Sequence, residues 1–253
     1  MADFEILTSP FHVGERVPVE LTAHPHREVP LLAAASRDAV PVVAEAIAQE
    51  VAATVSDGRR PLLFAADCLA PLGVVAGLQR AGVAAPVVLW FDAHGDFNTP
   101  DTSPSGYLPG MALAMLVGRQ PRAVVDGLGM TPVEEGDVVL VDARDLDPGE
   151  AGAVAGSGLV HTDVASLTAA AAELPDAPTY VHVDVDVVDP ADMPGMTFPA
   201  PGGPSLHAVA EALSVLDDSC DLWAVSFGVT LRADGHDAAR AVAATNRLAG
   251  VVL

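Results

Sequence analysis

Continuous apolar runs alternate along the chain with Ala-rich stretches whose hydrophobic residues recur at helical spacing. Residues 4–8, 61–65, 86–91, 137–141, 179–185 and 222–227 read as strands. Most of these runs lack polar alternation, the mark of strands covered on both faces, as in a parallel sheet. Between them, residues 39–55, 72–80, 111–117, 167–172, 205–216 and 237–253 carry the period of amphipathic helices. The order predicts an α/β fold of three layers, α/β/α, with a mostly parallel central sheet. Pro- and Gly-rich loops are expected at 98–110, 144–158 and 189–204. No repeat, linker or low-complexity tract interrupts the pattern, so one domain is expected over residues 1–253.

Two of the apolar runs end in acids. "PVVLWFDAHGDFNTP", residues 86–100, places Asp92, His94 and Asp96 at alternate positions. "TYVHVDVDVVDP", residues 179–190, does the same with His182, Asp184 and Asp186. Residues two apart in a strand point to one side, roughly 6.5–7 Å apart. Four carboxylates at neighbouring strand ends cannot all stay ionised and unpaired in a core. Either motif alone could cap a turn, but two of them at buried strand ends call for a cation. Oxygen-rich ligation with one or two imidazoles suits Mn²⁺, with Fe or Co as alternatives and Zn²⁺ less favoured. Four Asp match the charge of two divalent ions, which in such pairs lie about 3.5–4 Å apart and share an activated water.

Composition narrows the classes. With 51% hydrophobic residues the chain can bury a large core, and disorder is not expected. A net charge of −22 would repel nucleic acid and anionic membranes and attract cations, whether metal ions or cationic small molecules, although solubility alone accounts for such a charge equally well. No basic leader, secretory h-region or membrane span is read from the sequence. Cys68 and Cys220 are too few for a disulfide framework, and a cytoplasmic protein is expected.

The motifs resemble those of the arginase/agmatinase (ureohydrolase) family. "DAHGDFNTP" is similar to its DAHxDxNTP signature and "HVDVDVVDP" to its SxDxDxxDP signature. "SGYLPGM", "ARDLDPGE" and "TFPAPGG" resemble its SGNxHGM, RDVDPGE and TGTPxPGG stretches. The likeness runs from about residue 60 to the C-terminus, and the first 55 residues match loosely. It implies an arginase-like fold holding two Mn²⁺, whose bridging hydroxide attacks the central carbon of a guanidino group and breaks the C–N bond. It also implies that Asp92, His94, Asp96, Asp184 and Asp186 are ligands, with Asp96 passing the proton to the leaving nitrogen. Asn98, Ser105 and Asp147 fall where arginases hold the substrate's amino-acid end, with Glu150 in support, although such residues also cap loops. Family analogy further implies a homo-oligomer, a trimer or hexamer.

Several positions depart from the family pattern. Cys68 stands where the family's GGDHS motif has its first metal-binding His. A thiolate can ligate a divalent metal, though a buried free Cys is the plainer reading. Pro109 replaces the loop His of arginases, and Val229 aligns with their guanidinium-gripping Glu. Cys68, Phe97, Tyr107, Gly110, Met111 and His182 instead agree with the branch that acts on Nω-hydroxy-arginine. A substrate with a better leaving group would need less acid assistance there, and His182 is a candidate to supply what remains or, equally, a partner that orients a metal carboxylate. The expectation is therefore a metal-dependent amidinohydrolase of a guanidino or hydroxyguanidino amino acid. The alternative is a non-catalytic binding or partner subunit with a degenerate site.

Overall fold

The computed structural model describes residues 3–18, 20–30, 39–170, 174 and 176–253. In chain order its elements begin with the strands β1 (Phe4–Ser9), β2 (Phe11–His12), β3 (Glu15–Arg16) and β4 (Arg27–Glu28). Helix α1 (Val40–Ser56), β5 (Arg60–Ala65), α2 (Ala70–Arg80) and β6 (Val87–Asp92) follow. Next come α3 (Ala112–Leu116), α4 (Ala123–Leu128), β7 (Val138–Asp142), α5 (Pro148–Ala155), β8 (Val160–Thr162) and α6 (Val164–Ala170). The chain closes with β9 (Pro178–Asp184), α7 (Leu206–Ser219), β10 (Asp221–Gly228) and α8 (Ala238–Val252). One sheet has the order β4-β1-β5-β10-β9-β6-β7-β8, with every neighbouring pair parallel, while β2 and β3 form a separate antiparallel hairpin.

The six expected strands are the six inner members of this sheet. Their runs are apolar throughout because both alternating sets of side chains are buried. Leu63, Val88, Trp90 and Leu140 face α1, α2 and α3, while Leu62, Phe64, Leu89 and Val181 face α6, α7 and α8. Each fully buried aliphatic or aromatic side chain contributes about 1.5–3 kcal/mol. The three-layer expectation therefore holds. The edge strands β4 and β8 were not expected: they are two and three residues long and mostly exposed, so they carry no apolar run. The expected loop at 144–158 contains α5, and α4 was also missed. Residues 171 and 172 of the helix expected over 167–172 lie outside the described residues; α6 is described over Val164–Ala170.

β5 and β6 are consecutive among the large strands, yet β10 and β9 lie between them in the sheet. The chain thus leaves the sheet in opposite directions from its centre. In open parallel sheets the crevice at the carboxyl ends beside such a reversal is where ligands bind.

Candidate metal centre

The carboxyl ends of β5, β9 and β6 bring the acids together. Register pairs Phe91 of β6 with Val183 of β9, so the next residues, Asp92 and Asp184, end the two strands side by side. Cys68 follows β5 on the other side of β10. β10 ends there in Gly228, where an added Cβ would lie 3.2 Å from Cys68 Sγ, 3.3 Å from His182 Cε1 and 3.5 Å from Asp184 Oδ2. A side chain at that position would crowd the centre. Asp92, His94 and Asp96 converge as expected where the strand unwinds into its loop, whereas Asp186 does not continue the strand face of His182 and Asp184. β6 stops at Asp92, and Asp186 sits in a 3₁₀ turn over Val185–Val187. His94 and Asp96 converge through the following loop, where Asp96 adopts a left-handed backbone with φ 47°. Asp is among the few residues that tolerate this region.

Ligand atoms of Cys68, Asp92 and Asp184 all lie within 4.8 Å of one another, and so do those of Asp92, His94 and Asp186. Asp92 belongs to both triads, while Asp96 falls outside both at that spacing. Cys68 Sγ donates to Asp184 Oδ2 at 2.8 Å, and His94 Nδ1 lies 3.2 Å from Asp92 Oδ1 and 3.4 Å from Asp186 Oδ2. Asp186 N donates to Asp184 Oδ1 at 3.1 Å. Asp92, Asp96, Asp184 and Asp186 are all buried. Arg144, at the end of β7, steadies the Asp186 loop by donating to the carbonyls of Asp186, Val187 and Ala200 while pairing with Asp142.

Charge crowding dominates the electrostatics. Burial and then repulsion from Asp92 and Asp184 push Asp96 well above the usual carboxylate range. Burial, Asp186 and Asp92 do the same to Asp184. Burial, then Asp184, Asp96 and Asp92, raise the Cys68 thiol. Burial alone would lower His94, but hydrogen bonds to Asp186 and Asp92 outweigh it and raise it to about 12. Asp96 Oδ2 is buried without a hydrogen-bond partner. Such a group is expensive unless a ligand satisfies it. Crowded carboxylates, one orphaned oxygen and an imidazole fit a divalent cation or a pair of them.

A cavity of about 200 Å³ opens onto this cluster. Cys68, His94, Asp96, Asp184 and Asp186 line it together with Asn98, Ser105, Asp147 and Glu150. Asn98 Nδ2 donates to Asp147 Oδ2 at 3.0 Å. Glu150 is held by Phe97 N at 2.8 Å and Asp147 N at 3.3 Å, so its carboxylate braces α5 and the Asn98 loop. His182 is not among the lining residues: it lies under the cluster, 4.3 Å from the Trp90 ring, with Nδ1 2.8 Å from Ser226 Oγ. Burial lowers it to about 3. The Val229 side chain packs into the core on the other face of the sheet, and its neighbour Thr230 lines the cavity. Asp234 is exposed and held by Arg232 and His236 N. The sequence reading gave no site role to Asp145, Phe198, Thr230 or Ser103, and Tyr107 only as a matching position. Asp145, Tyr107 and Phe198 lie within the motif-like stretches, which could have pointed to them, whereas Ser103 and Thr230 belong to no motif and needed their position in the fold.

Fold and cluster together define a parallel α/β protein with a candidate binuclear metal centre at its strand ends. The family model described as the arginase family matches residues 13–239, and the chain belongs to that family. The match begins well before residue 60, where the sequence motifs start. An arginase from Bacillus subtilis (strain 168) is 34% identical over 194 residues, covering 72% of this chain and 65% of that protein. An N(omega)-hydroxy-L-arginine amidinohydrolase from Streptomyces lavendulae is 37% identical over 132 residues, covering 50% of this chain and 46% of its own length. The chain thus matches less than two thirds of the length of these relatives. A crystal structure of arginase from Bacillus subtilis has a TM-score of 0.86 at 23% identity, covering 99% of this chain and 98% of that chain. At that identity the likeness is one of fold.

Proposed function

We propose that this chain hydrolyses the C–N bond of a guanidino or hydroxyguanidino group on an amino-acid-like substrate, with two Mn²⁺ as cofactor. The observation that carries the reading is the pair of overlapping triads sharing Asp92 at the floor of one cavity. Cys68, Asp92 and Asp184 would hold one cation, and Asp92, His94 and Asp186 the other, with Asp96 completing the set. Bound there, the cations would neutralise the four carboxylates and supply a nucleophilic oxygen at neutral pH. Asp96, with its free Oδ2 and a raised proton affinity, would accept a proton and return it to the leaving nitrogen. Asn98, Ser105 and Asp147 would bind the amino-acid end at the cavity mouth, and Glu150 would hold that loop in place. His182 would support Asp92 and Asp184 from beneath, through packing rather than substrate contact.

Nω-hydroxy-arginine is the favoured substrate. Pro109 lines the cavity and has no side-chain proton to give, and Cys68, Tyr107 and His182 match by position the branch of the family that acts on Nω-hydroxy-arginine. Agmatine lacks the carboxylate that the Asn98–Ser105 end would bind. We also propose one domain, supported by a single sheet that takes strands from both ends of the chain. Among the described residues no helix is long and apolar enough to cross a membrane.

Elemental analysis of protein produced with manganese, combined with assays on arginine, Nω-hydroxy-arginine and agmatine, tests the proposal. Two metals per chain and release of hydroxyurea or urea are expected. A metal-free protein inert on all three substrates would leave only the binding-subunit reading.

A further inference from the structure

Two hydroxyls that line the cavity share one anchor. The Ala66 carbonyl, just past β5, accepts from Thr230 Oγ1 at 3.2 Å and from His12 Nδ1 at 3.2 Å. A carbonyl only accepts, so His12 carries its proton on Nδ1. The neutral ring then offers a lone pair at Nε2, which lies 3.2 Å from Tyr107 Oη. The Tyr107 hydroxyl has one proton, and this geometry directs it to His12. Thr230 likewise gives its proton to Ala66. Each oxygen is left with lone pairs alone.

The arrangement is held firmly. Val13 N donates to the buried Asp67 Oδ2 at 2.6 Å, which ties the β2–β3 hairpin, and His12 with it, to the segment carrying Cys68. Val13 takes a left-handed backbone, φ 47°, to do so. His12 and Tyr107 rings stack with centroids 5.9 Å apart, and Phe198 flanks Tyr107 at 5.2 Å. Tyr107 and Thr230 therefore reach the cavity from different loops with the same polarity.

We propose that Tyr107 and Thr230 form a hydrogen-bond-accepting pair that selects a head group bearing N–H donors, with His12 as the positioning residue that fixes the polarity of Tyr107. The inference rests on the guanidino reading and adds what discriminates the head group: nitrogen donors over a carbonyl acceptor. A ureido group, which puts an oxygen where a guanidino group has N–H, would meet lone pairs with lone pairs.

The test uses manganese-loaded protein at about pH 8.5, where an ordinary imidazole is neutral. Calorimetric binding and steady-state kinetics are measured with L-arginine, Nω-hydroxy-L-arginine and L-citrulline. Tyr107→Phe and Thr230→Val each remove one acceptor with little change of shape. Both are expected to weaken the guanidino probes about 3–10-fold, in KM rather than kcat, with the melting temperature lowered by no more than about 2–4 °C for the lost hydrogen bond. His12→Phe removes the acceptor for the Tyr107 proton and lets that hydroxyl donate into the cavity. It is expected to raise binding of L-citrulline relative to L-arginine by about threefold or more, a gain that Tyr107→Phe abolishes in the double variant. A purely structural role would weaken all probes alike. Unchanged guanidino binding in both single variants overturns the proposal, as does a wild-type protein that binds none of the probes. Altered binding without turnover of any probe would support this pair and sink the hydrolase reading. Turnover that ignores all three substitutions would do the reverse.

Discussion

Asp96 combines three features that rarely coincide in one residue. Its backbone is left-handed, its carboxylate is buried beside two others, and its Oδ2 has no partner. Strained backbone persists where the surrounding structure over-determines it, and such positions cluster at functional sites. Asn also tolerates the left-handed region, so Asp96→Asn keeps the turn while removing the charge and the proton acceptor. Turnover is expected to fall at least about 100-fold, with circular dichroism and melting temperature preserved or raised. Activity within a few-fold of wild type would remove Asp96 from the chemistry. At this scale the ligands were legible because they sit in two short segments where acids interrupt apolar runs. Tyr107, Thr230 and His12 were not legible as partners. Their shared anchor joins positions 54, 95 and 164 residues apart, which no local pattern encodes.

The helices owe their seating to close approaches that composition alone does not reveal. α1 packs on α2 at Gly73 and Gly77, one turn apart on the same face. A Cβ at Gly77 would fall 2.6 Å from Val51 Cβ and 2.7 Å from the Ala48 carbonyl. Ala gains roughly 1 kcal/mol of helix propensity over Gly. Overpacking against an immobile carbonyl costs about 1–3 kcal/mol. Gly77→Ala is therefore expected to lose up to about 2 kcal/mol net, lowering the melting temperature by up to about 8 °C in calorimetry. An increase would show that α1 slides freely on α2. The inner strands were readable because burial on both faces leaves a continuous apolar signature. α5 was hidden by its own composition: Pro148, Gly149 and Gly152 suggest a loop. Yet Asp147 followed by Pro148 and Glu150 is a start signal, with Pro in the first turn and the Glu carboxylate taking the Asp147 N–H. β4 and β8 are too short and exposed to announce themselves.

Across the whole molecule, net charge and the acid cluster make stability depend on cations. Ions bound to the folded chain alone stabilise it by mass action, about 2.7 kcal/mol at a hundredfold excess over Kd. Manganese is expected to raise the melting temperature of chelator-treated protein by about 5–10 °C per such site. A melting temperature indifferent to manganese and to chelator would contradict a cation in the cluster. The sheet order has a consequence for how the chain is made. Everything through β8 builds two separate ribbons, β4-β1-β5 and β6-β7-β8, with raw edges facing each other across a gap. Only β9 and β10, arriving last, fit between them and close it. A nascent chain halted near residue 177 would carry two unsealed halves, prone to pairing with neighbours. The last third of the polypeptide is its keystone, and it brings Asp184 and Asp186 with it, so closure of the sheet and completion of the centre are one event.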